Sequence, residues 1–487
     1  MTDMMTLQQV RDWLGGARLV ANDLTSRSVM IRRVHTDTRT IQPGDLFVAL
    51  RGERFDANTF VAEAKARGAV AALCQGDADA ALLAAGLPGL VVPDAKAALG
   101  QLAAAWRAQF TLPLIAVTGS NGKTTVTQMM AAILAAFKPE AYLATQGNFN
   151  NDIGVPLTLL RLRAHHEVAV IELGMNHPGE IAALAAMAQP TVALVNNAQR
   201  EHLEFMATVE AVAQENGAVI DALGETGHAV FPSDETYTPV WSAKAGHRSV
   251  LSFGAAALSA SVHALDAQWV AGAWQVTTAT PVGVIHYALH IAGLHNVKNS
   301  LAAVACALAA GVPVAAIAQG LSQFEPVKGR SRAVVLNGGT RELTLIDDTY
   351  NANPDSVAAA IEVLAALPGP RLLVLGDMGE VGDQGPQFHA EAGGLAQQCG
   401  IETLFTLGEL SKAAVAPFGP AARHFESMEA LQAAVKAEVP RLASVLVKGS
   451  RFMKMERVVA TLTDHLSPQK EMRPMANPSK PGVPSCC

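Results

Sequence analysis

The sequence predicts an α/β protein of three domains, and three observations carry that reading. Short apolar runs of strand length recur along the chain, separated by stretches that read as helices. Alternation at this spacing argues for mostly parallel sheets covered on both faces. The chain has 487 residues, which at roughly 150 residues per domain suggests about three units. Finally, polar clusters close several of the apolar runs, which is where ligands of such sheets collect.

Residues 1–112 read as a small N-terminal α/β domain. Segments 46–50, 69–73 and 90–92 are strand candidates, and 60–67 and 95–110 read as helices. Within it lies Asp37-Thr38-Arg39. Arg39 beside the Thr38 hydroxyl, at the end of an extended segment, could grip a substrate phosphate. An exposed loop arginine has the same appearance.

Residues 113–325 read as a central phosphate-loop domain with a parallel sheet. Its strands are 114–117, 168–172 and 192–196. After the first comes Thr118-Gly119-Ser120-Asn121-Gly122-Lys123-Thr124-Thr125, followed by 126–137, which lacks Pro and Gly and reads as a helix. Strand, glycine-rich turn, Lys-Thr and helix form the context a phosphate-binding loop requires. Backbone N–H groups curl around phosphate oxygens, and the helix N-terminus favours the negative charge. Lys123 can reach the outer phosphates and the Thr124 hydroxyl can hold Mg²⁺. The common loop has four residues between its glycines, whereas Gly119 and Gly122 enclose only two.

Glu172 closes the second strand and is followed by Leu173 and Gly174. A carboxylate there is costly without a cation opposite, and an oxygen ligand suits Mg²⁺. His202 follows the third strand; a metal ligand and a capping histidine are equally open. Thr145, Gln146, Asn148 and Asn151 belong to an uncharged cluster suited to a neutral, hydrogen-bonding ligand, or to an Asn-rich turn. Asn296 and Asn299 stand three apart and can face one ligand. The charge-free segment 301–324 is interrupted by Gly311-Val312-Pro313, so two buried helices fit better than a membrane span.

Residues 326–467 read as a C-terminal Rossmann-like α/β domain with strands 343–346, 371–375, 403–407 and 444–447. Polar clusters close several of them, among them Asp347-Asp348-Thr349-Tyr350-Asn351-Ala352-Asn353-Pro354 and Gly376-Asp377-Met378-Gly379-Glu380. Asn353 before Pro354 reads as a helix cap. Residues 468–487 are rich in Pro and Lys and are expected to be disordered.

Net charge is −7 with no basic block, which argues against a nucleic-acid partner. The N-terminus lacks the features of a signal peptide. Cys74, Cys306 and Cys399 make no metal-spacing pattern and suit a reducing cytosol. The Cys486-Cys487 pair does not fit a prenylation motif.

Taken in order, these clusters resemble the Mur ligases over residues 35–460. The short loop Thr118–Thr125 is similar to that family's phosphate loop. The segments 348–354 and 376–380 resemble its D-alanyl-D-alanine-adding branch; the Asp-Asn-Pro-Arg motif of the branch that adds diaminopimelate or lysine is absent. The resemblance implies an ATP-dependent amide ligase of bacterial peptidoglycan precursor synthesis. It would be cytoplasmic and monomeric, without membrane insertion. Its substrates would be UDP-N-acetylmuramoyl-tripeptide and D-Ala-D-Ala, joined through an acyl phosphate. It further implies that Thr124, Glu172 and His202 hold Mg²⁺, and that Lys123 and Arg330 contact ATP. Asn296 and Asn299 would lie near adenine and Asp348 on the nucleotide's other side. Thr38 and Arg39 would lie near UDP, and residues 145–151, with Asn351 and Asn353, along the rest of the substrate. One position departs from the family pattern. Asn216 stands fourteen residues after His202, where the family carries a lysine carbamylated to bind a second Mg²⁺. That second site is expected to be weak, and activity to need no carbon dioxide. A folylpolyglutamate synthase-like ligase and a non-catalytic ATP-binding partner of cell-wall enzymes are the competing readings.

Overall fold

The strand Leu114–Thr118 lies mid-sheet because both its faces are apolar. Leu114 and Ala116 belong to one buried cluster, and Ile115 and Val117 to the opposite one. Alternation of side chains across a strand makes this possible, and each large side chain so buried contributes roughly 1.5–3 kcal/mol. In this computed structural model, which describes residues 3–468 except 22–23, 54, 256–258 and 338–341, that strand belongs to a nine-stranded sheet.

Parallel neighbours Val168–Glu172 and Val192–Val195 flank it, with Glu172 opposite Val117 and Val195 opposite Thr118. The three strand ends are therefore level. Chain order reverses here, since Tyr142–Ala144 and Val168–Glu172 lie on one side and Val192–Val195 on the other. A crevice at such a switch point is where these sheets bind ligands. The helix Lys123–Phe137 covers one face, burying Val126, Met129, Met130, Ile133 and Leu134 at helical spacing. The far edge of the sheet departs from the expected parallel pattern. Val262–Val270, Ala273–Thr280 and Gly283–Leu289 form an antiparallel meander packed against the helix Leu294–Ala309. As expected, residues 301–324 fall in two helices, Leu294–Ala309 and Val314–Gln323. Among the described residues no helix is long and apolar enough to cross a membrane.

The N-terminal sheet has five strands in the order Arg18–Val20, Gly89–Val92, Ala71–Gln75, Asp45–Val48, Arg33–His35. The helix Ala95–Arg107 joins it to the central sheet. Asp94 caps its start, and at its end Trp106 Nε1 donates to Leu162 O at 3.2 Å while Arg107 Nε donates to Ala188 O at 3.0 Å. The C-terminal sheet has seven strands, centred on Arg371–Gly376, Ser444–Lys448 and Glu342–Asp348. Its last strand, Ser467–Pro468, pairs with the Arg332–Asn337 strand, so regular structure reaches the first residue of the expected disordered tail. Residues 469–487 lie outside the described ones.

Candidate active site

The level strand ends of the central sheet face the C-terminal domain across a cavity of about 820 Å³. The phosphate loop forms its floor. Gly122 heads the helix Lys123–Phe137 with φ +82, and a Cβ there would lie 2.5 Å from Asn299 Oδ1 and 2.6 Å from Asn196 Nδ2. Glycine is required for both reasons. The loop is braced from the next strand. Asn121 N donates to Asn197 Oδ1 at 2.8 Å, Asn196 Nδ2 donates to Asn121 O at 2.8 Å, and Gln199 N donates to Ser120 Oγ at 2.9 Å. Ser120 through Thr125 line the cavity; Gly119 lies behind them.

Lys123 does not point into open space. Its Nζ donates to Gly119 O at 2.6 Å, to Ser120 O at 3.0 Å and to Glu201 Oε1 at 2.8 Å. Sequence reading passed over Glu201, which is buried in the cavity wall. Its one signal is its place between a phosphate-loop-bracing strand and His202.

Glu172 is 1% exposed. Its Oε1 accepts from Thr124 Oγ1 at 3.0 Å and from Asn150 Nδ2 at 2.8 Å, while Oε2 is buried with no partner. Such an oxygen is costly unless a cation meets it. Among the described residues no three His, Cys, Asp or Glu side chains could hold a metal by themselves. Mg²⁺ commonly takes one or two carboxylates and completes its shell with phosphates and water, so Thr124 and Glu172 fit it. Asn150, which the sequence grouped with the substrate-facing amides, instead steadies the Glu172 carboxylate. Thr145 sits behind the site instead of lining it, its hydroxyl accepting from Glu172 N at 2.9 Å. Gln146 also lies off the cavity lining, whereas Asn148 and Asn151 are on it. Asn151 Oδ1 is taken by Ile153 N and Gly154 N.

His202 occupies the left-handed region, φ 50, and its ring lies between two carboxylates. Nε2 is 3.5 Å from Glu201 Oε1, and Nδ1 is 2.5 Å from Glu380 Oε2, off the line of a hydrogen bond. Burial would lower its pKa, but the two carboxylates outweigh burial and raise it to about 9. A protonated imidazole has no lone pair for a metal. His202 as it stands is thus a cation bridging two domains, and it can serve as the expected ligand only after losing its proton.

Asn216 is fully buried and off the cavity lining. Its Oδ1 accepts from Thr118 Oγ1 at 2.8 Å, so the carbonyl oxygen expected to face a metal is engaged elsewhere. The neighbouring Glu215 accepts from Gly179 N and Ile181 N, each at 2.8 Å, at the start of the helix Glu180–Ala188.

Asn296 and Asn299 lie together on one buried wall of the cavity, Asn299 Nδ2 donating to Asn296 Oδ1 at 2.9 Å. From the C-terminal domain, Asp348 accepts from Ser331 N at 2.9 Å and from Lys448 Nζ at 2.5 Å. Arg330 stacks over Tyr350, 4.1 Å from its ring centroid. Asn351 lines the cavity, and Asn353 Nδ2 reaches Asn121 Oδ1 of the phosphate loop at 2.9 Å. Thr38 and Arg39 are not part of this cavity. They lie in a short turn after the Arg33–His35 strand, where Arg39 pairs with Asp37 at 2.7 Å and is largely exposed.

A glycine-rich Lys-Thr loop facing a second α/β domain, with an amide-rich wall between them, is an arrangement that suits an ATP-dependent ligase. Sequence models of the Mur ligase family match three segments, described as the Mur ligase family catalytic domain over 30–107, the middle domain over 117–307 and the glutamate ligase domain over 329–451. The chain belongs to the Mur ligase family. It is 39% identical over 463 residues, 95% of this chain and 99% of the other, to the UDP-N-acetylmuramoyl-tripeptide–D-alanyl-D-alanine ligase of Escherichia coli K12. Among solved structures it is similar to MurF of Acinetobacter baumannii, with TM-score 0.85 and 34% identity over 95% of this chain and 99% of that one. It is also similar to the MurF ligase of Thermotoga maritima in complex with ADP, with TM-score 0.77 and 25% identity over 89% and 97%. Likeness to folylpolyglutamate synthase of Mycobacterium tuberculosis, TM-score 0.61 at 17% identity over 75% and 94%, is one of fold alone.

Proposed function

We propose that this chain joins D-alanyl-D-alanine to UDP-N-acetylmuramoyl-tripeptide at the expense of ATP, with Mg²⁺. The observation that carries the reading is the single cavity that phosphate loop and C-terminal domain share, linked by the Asn121–Asn353 contact. Both ends of a ligation can be held there. The tripeptide carboxylate attacks the γ-phosphorus, ADP leaves, and an acyl phosphate remains. The amine of D-Ala-D-Ala then attacks that carbonyl, and phosphate departs. Lys123, once it leaves Glu201, would carry the charge of the transferring phosphoryl group, which is chiefly a matter of positioning and neutralisation. Thr124 and Glu172 would hold Mg²⁺, which offsets phosphate charge, and His202 would join them after giving up its proton. Asn296, Asn299, Arg330 and Asp348 would enclose the nucleoside. Asn148, Asn151, Asn351 and Asn353 would line the peptide's path, with Thr145 and Gln146 supporting it from behind. Thr38 and Arg39 would meet UDP from outside the cavity, and the substrate would then span two domains. The 39% identity to the Escherichia coli ligase supports the choice of substrates.

Lys123→Ala tests the reading. Phosphate release is expected to fall at least ~100-fold, the scale for losing one transition-state charge donor, with an unchanged circular dichroism spectrum. Near-normal turnover by a folded variant would refute the assignment.

A further inference from the structure

Six carboxylates line the cavity: Asp152, Glu172, Glu180, Glu201, Asp348 and Asp355. Four are engaged, Asp152 with Lys96, Glu180 with the backbone of Asn176 and His177, Asp348 with Lys448, and Asp355 with Arg200. Glu172 and Glu201 alone among these six keep a buried oxygen with no hydrogen-bond partner. They stand on either side of the adjacent pair Lys123–Thr124, Glu172 on Thr124 at 3.0 Å and Glu201 on Lys123 at 2.8 Å.

We propose that Glu201 is a carboxylate ligand for a second divalent cation that enters the cavity with the nucleotide. The proposal rests on the ligase reading above. Glu201 is 8% exposed. Its Oε1 is held by Lys123, with His202 Nε2 3.5 Å away, and its Oε2 meets nothing. When phosphate arrives, the loop lysine turns to the phosphate oxygens. Glu201 then loses its closest cation just as more negative charge enters beside it. What remains is His202, which Glu201 shares with Glu380, and a buried carboxylate so under-compensated is disfavoured. A divalent cation held by Glu201 would remove the conflict, since Mg²⁺ is usually bound through one or two carboxylates together with substrate phosphates. The nearby alternatives lie off the cavity lining, Glu215 capping a helix and Asn216 fully buried against Thr118. Glu172 serves the Thr124 side, and on the Lys123 side the lining carboxylate with an unpartnered buried oxygen is Glu201.

Mn²⁺ is the probe. Full-length protein is titrated with Mn²⁺ in the presence of β,γ-imido-ATP and UDP-muramoyl-tripeptide, and bound ions are counted by electron paramagnetic resonance. The wild type is expected to bind two ions. Glu201→Gln should retain the nucleotide and the first ion while weakening the second at least tenfold. Glu201→Asp, which keeps the carboxylate, should retain both and controls for folding. Two ions of unchanged affinity in Glu201→Gln would overturn the proposal and leave Glu201 as a counter-ion for Lys123 only; so would a single ion in the wild type. Amide formation by the wild type, measured in parallel, keeps the two readings apart: product with an unchanged ion count refutes this proposal alone, and absence of product refutes the ligase reading.

Discussion

Asn216 shows how one side chain can redirect a site. Its oxygen satisfies Thr118, the residue that ends the phosphate-loop strand, so it braces the loop instead of offering a ligand. An amide cannot be carbamylated, and Glu215 beside it is committed to a helix start. We therefore expect activity to be indifferent to bicarbonate. Rates measured at mildly acidic pH, after bicarbonate is stripped and again after it is returned, should agree. Activity that disappears and returns with bicarbonate would mean that a lysine elsewhere carries the carbamate. Legibility at this scale followed chemistry. Lys123, Thr124 and Glu172 could be chosen from the sequence because a glycine-rich turn and an apolar strand restrict what a polar residue there can do. Glu201 and Lys448 could not be. Each lies where an ordinary solvated charge would also fit, and only folding removes the solvent from Glu201 and Lys448.

Among the elements, the loop after Val192–Val195 reaches across to the C-terminal domain. Arg200 grips the start of the helix Pro354–Ala365. Its backbone N donates to Asp355 Oδ2 at 2.7 Å and its guanidinium reaches Asp355 Oδ1 at 2.8 Å and Glu391 Oε2 at 3.0 Å. The guanidinium also lies 5.3 Å from the Phe388 ring centroid. The partners are partly exposed, so the clasp is worth about 1 kcal/mol, or roughly a fivefold bias toward the arrangement in which these two domains touch. Arg200→Ala should therefore enlarge the ligand-free molecule in small-angle X-ray scattering and raise the KM for ATP a few-fold. A scattering curve and KM identical to wild type would show that the clasp does not hold the two domains together. No periodicity announces such a contact, because its partners are 155 and 191 residues apart in sequence. The antiparallel meander Val262–Leu289 escaped the sequence reading for a related reason. Its outer residues, such as Val270 and Val284, are exposed, so apolar alternation does not mark the buried face there. Its cue lay in the turn at Ala271 and Gly272, both at positive φ, where a two-residue hairpin loop belongs.

At the scale of the whole molecule, three sheets were legible because parallel strands buried on both faces write unbroken apolar runs. The way they share one cavity was not, since domain placement depends on contacts such as Asn121–Asn353 that have no local signature. That shared cavity makes the central claim testable as coupling. ATP cleavage should require both ligation partners, because the acyl phosphate forms on one substrate and is consumed by the other. The most direct measurement follows phosphate release and peptide product together, with UDP-muramoyl-tripeptide alone, D-Ala-D-Ala alone, and both. Sustained release is predicted only with both, in step with formation of the new amide bond. Equal sustained release with either substrate alone, or release with both and no amide product, would contradict it.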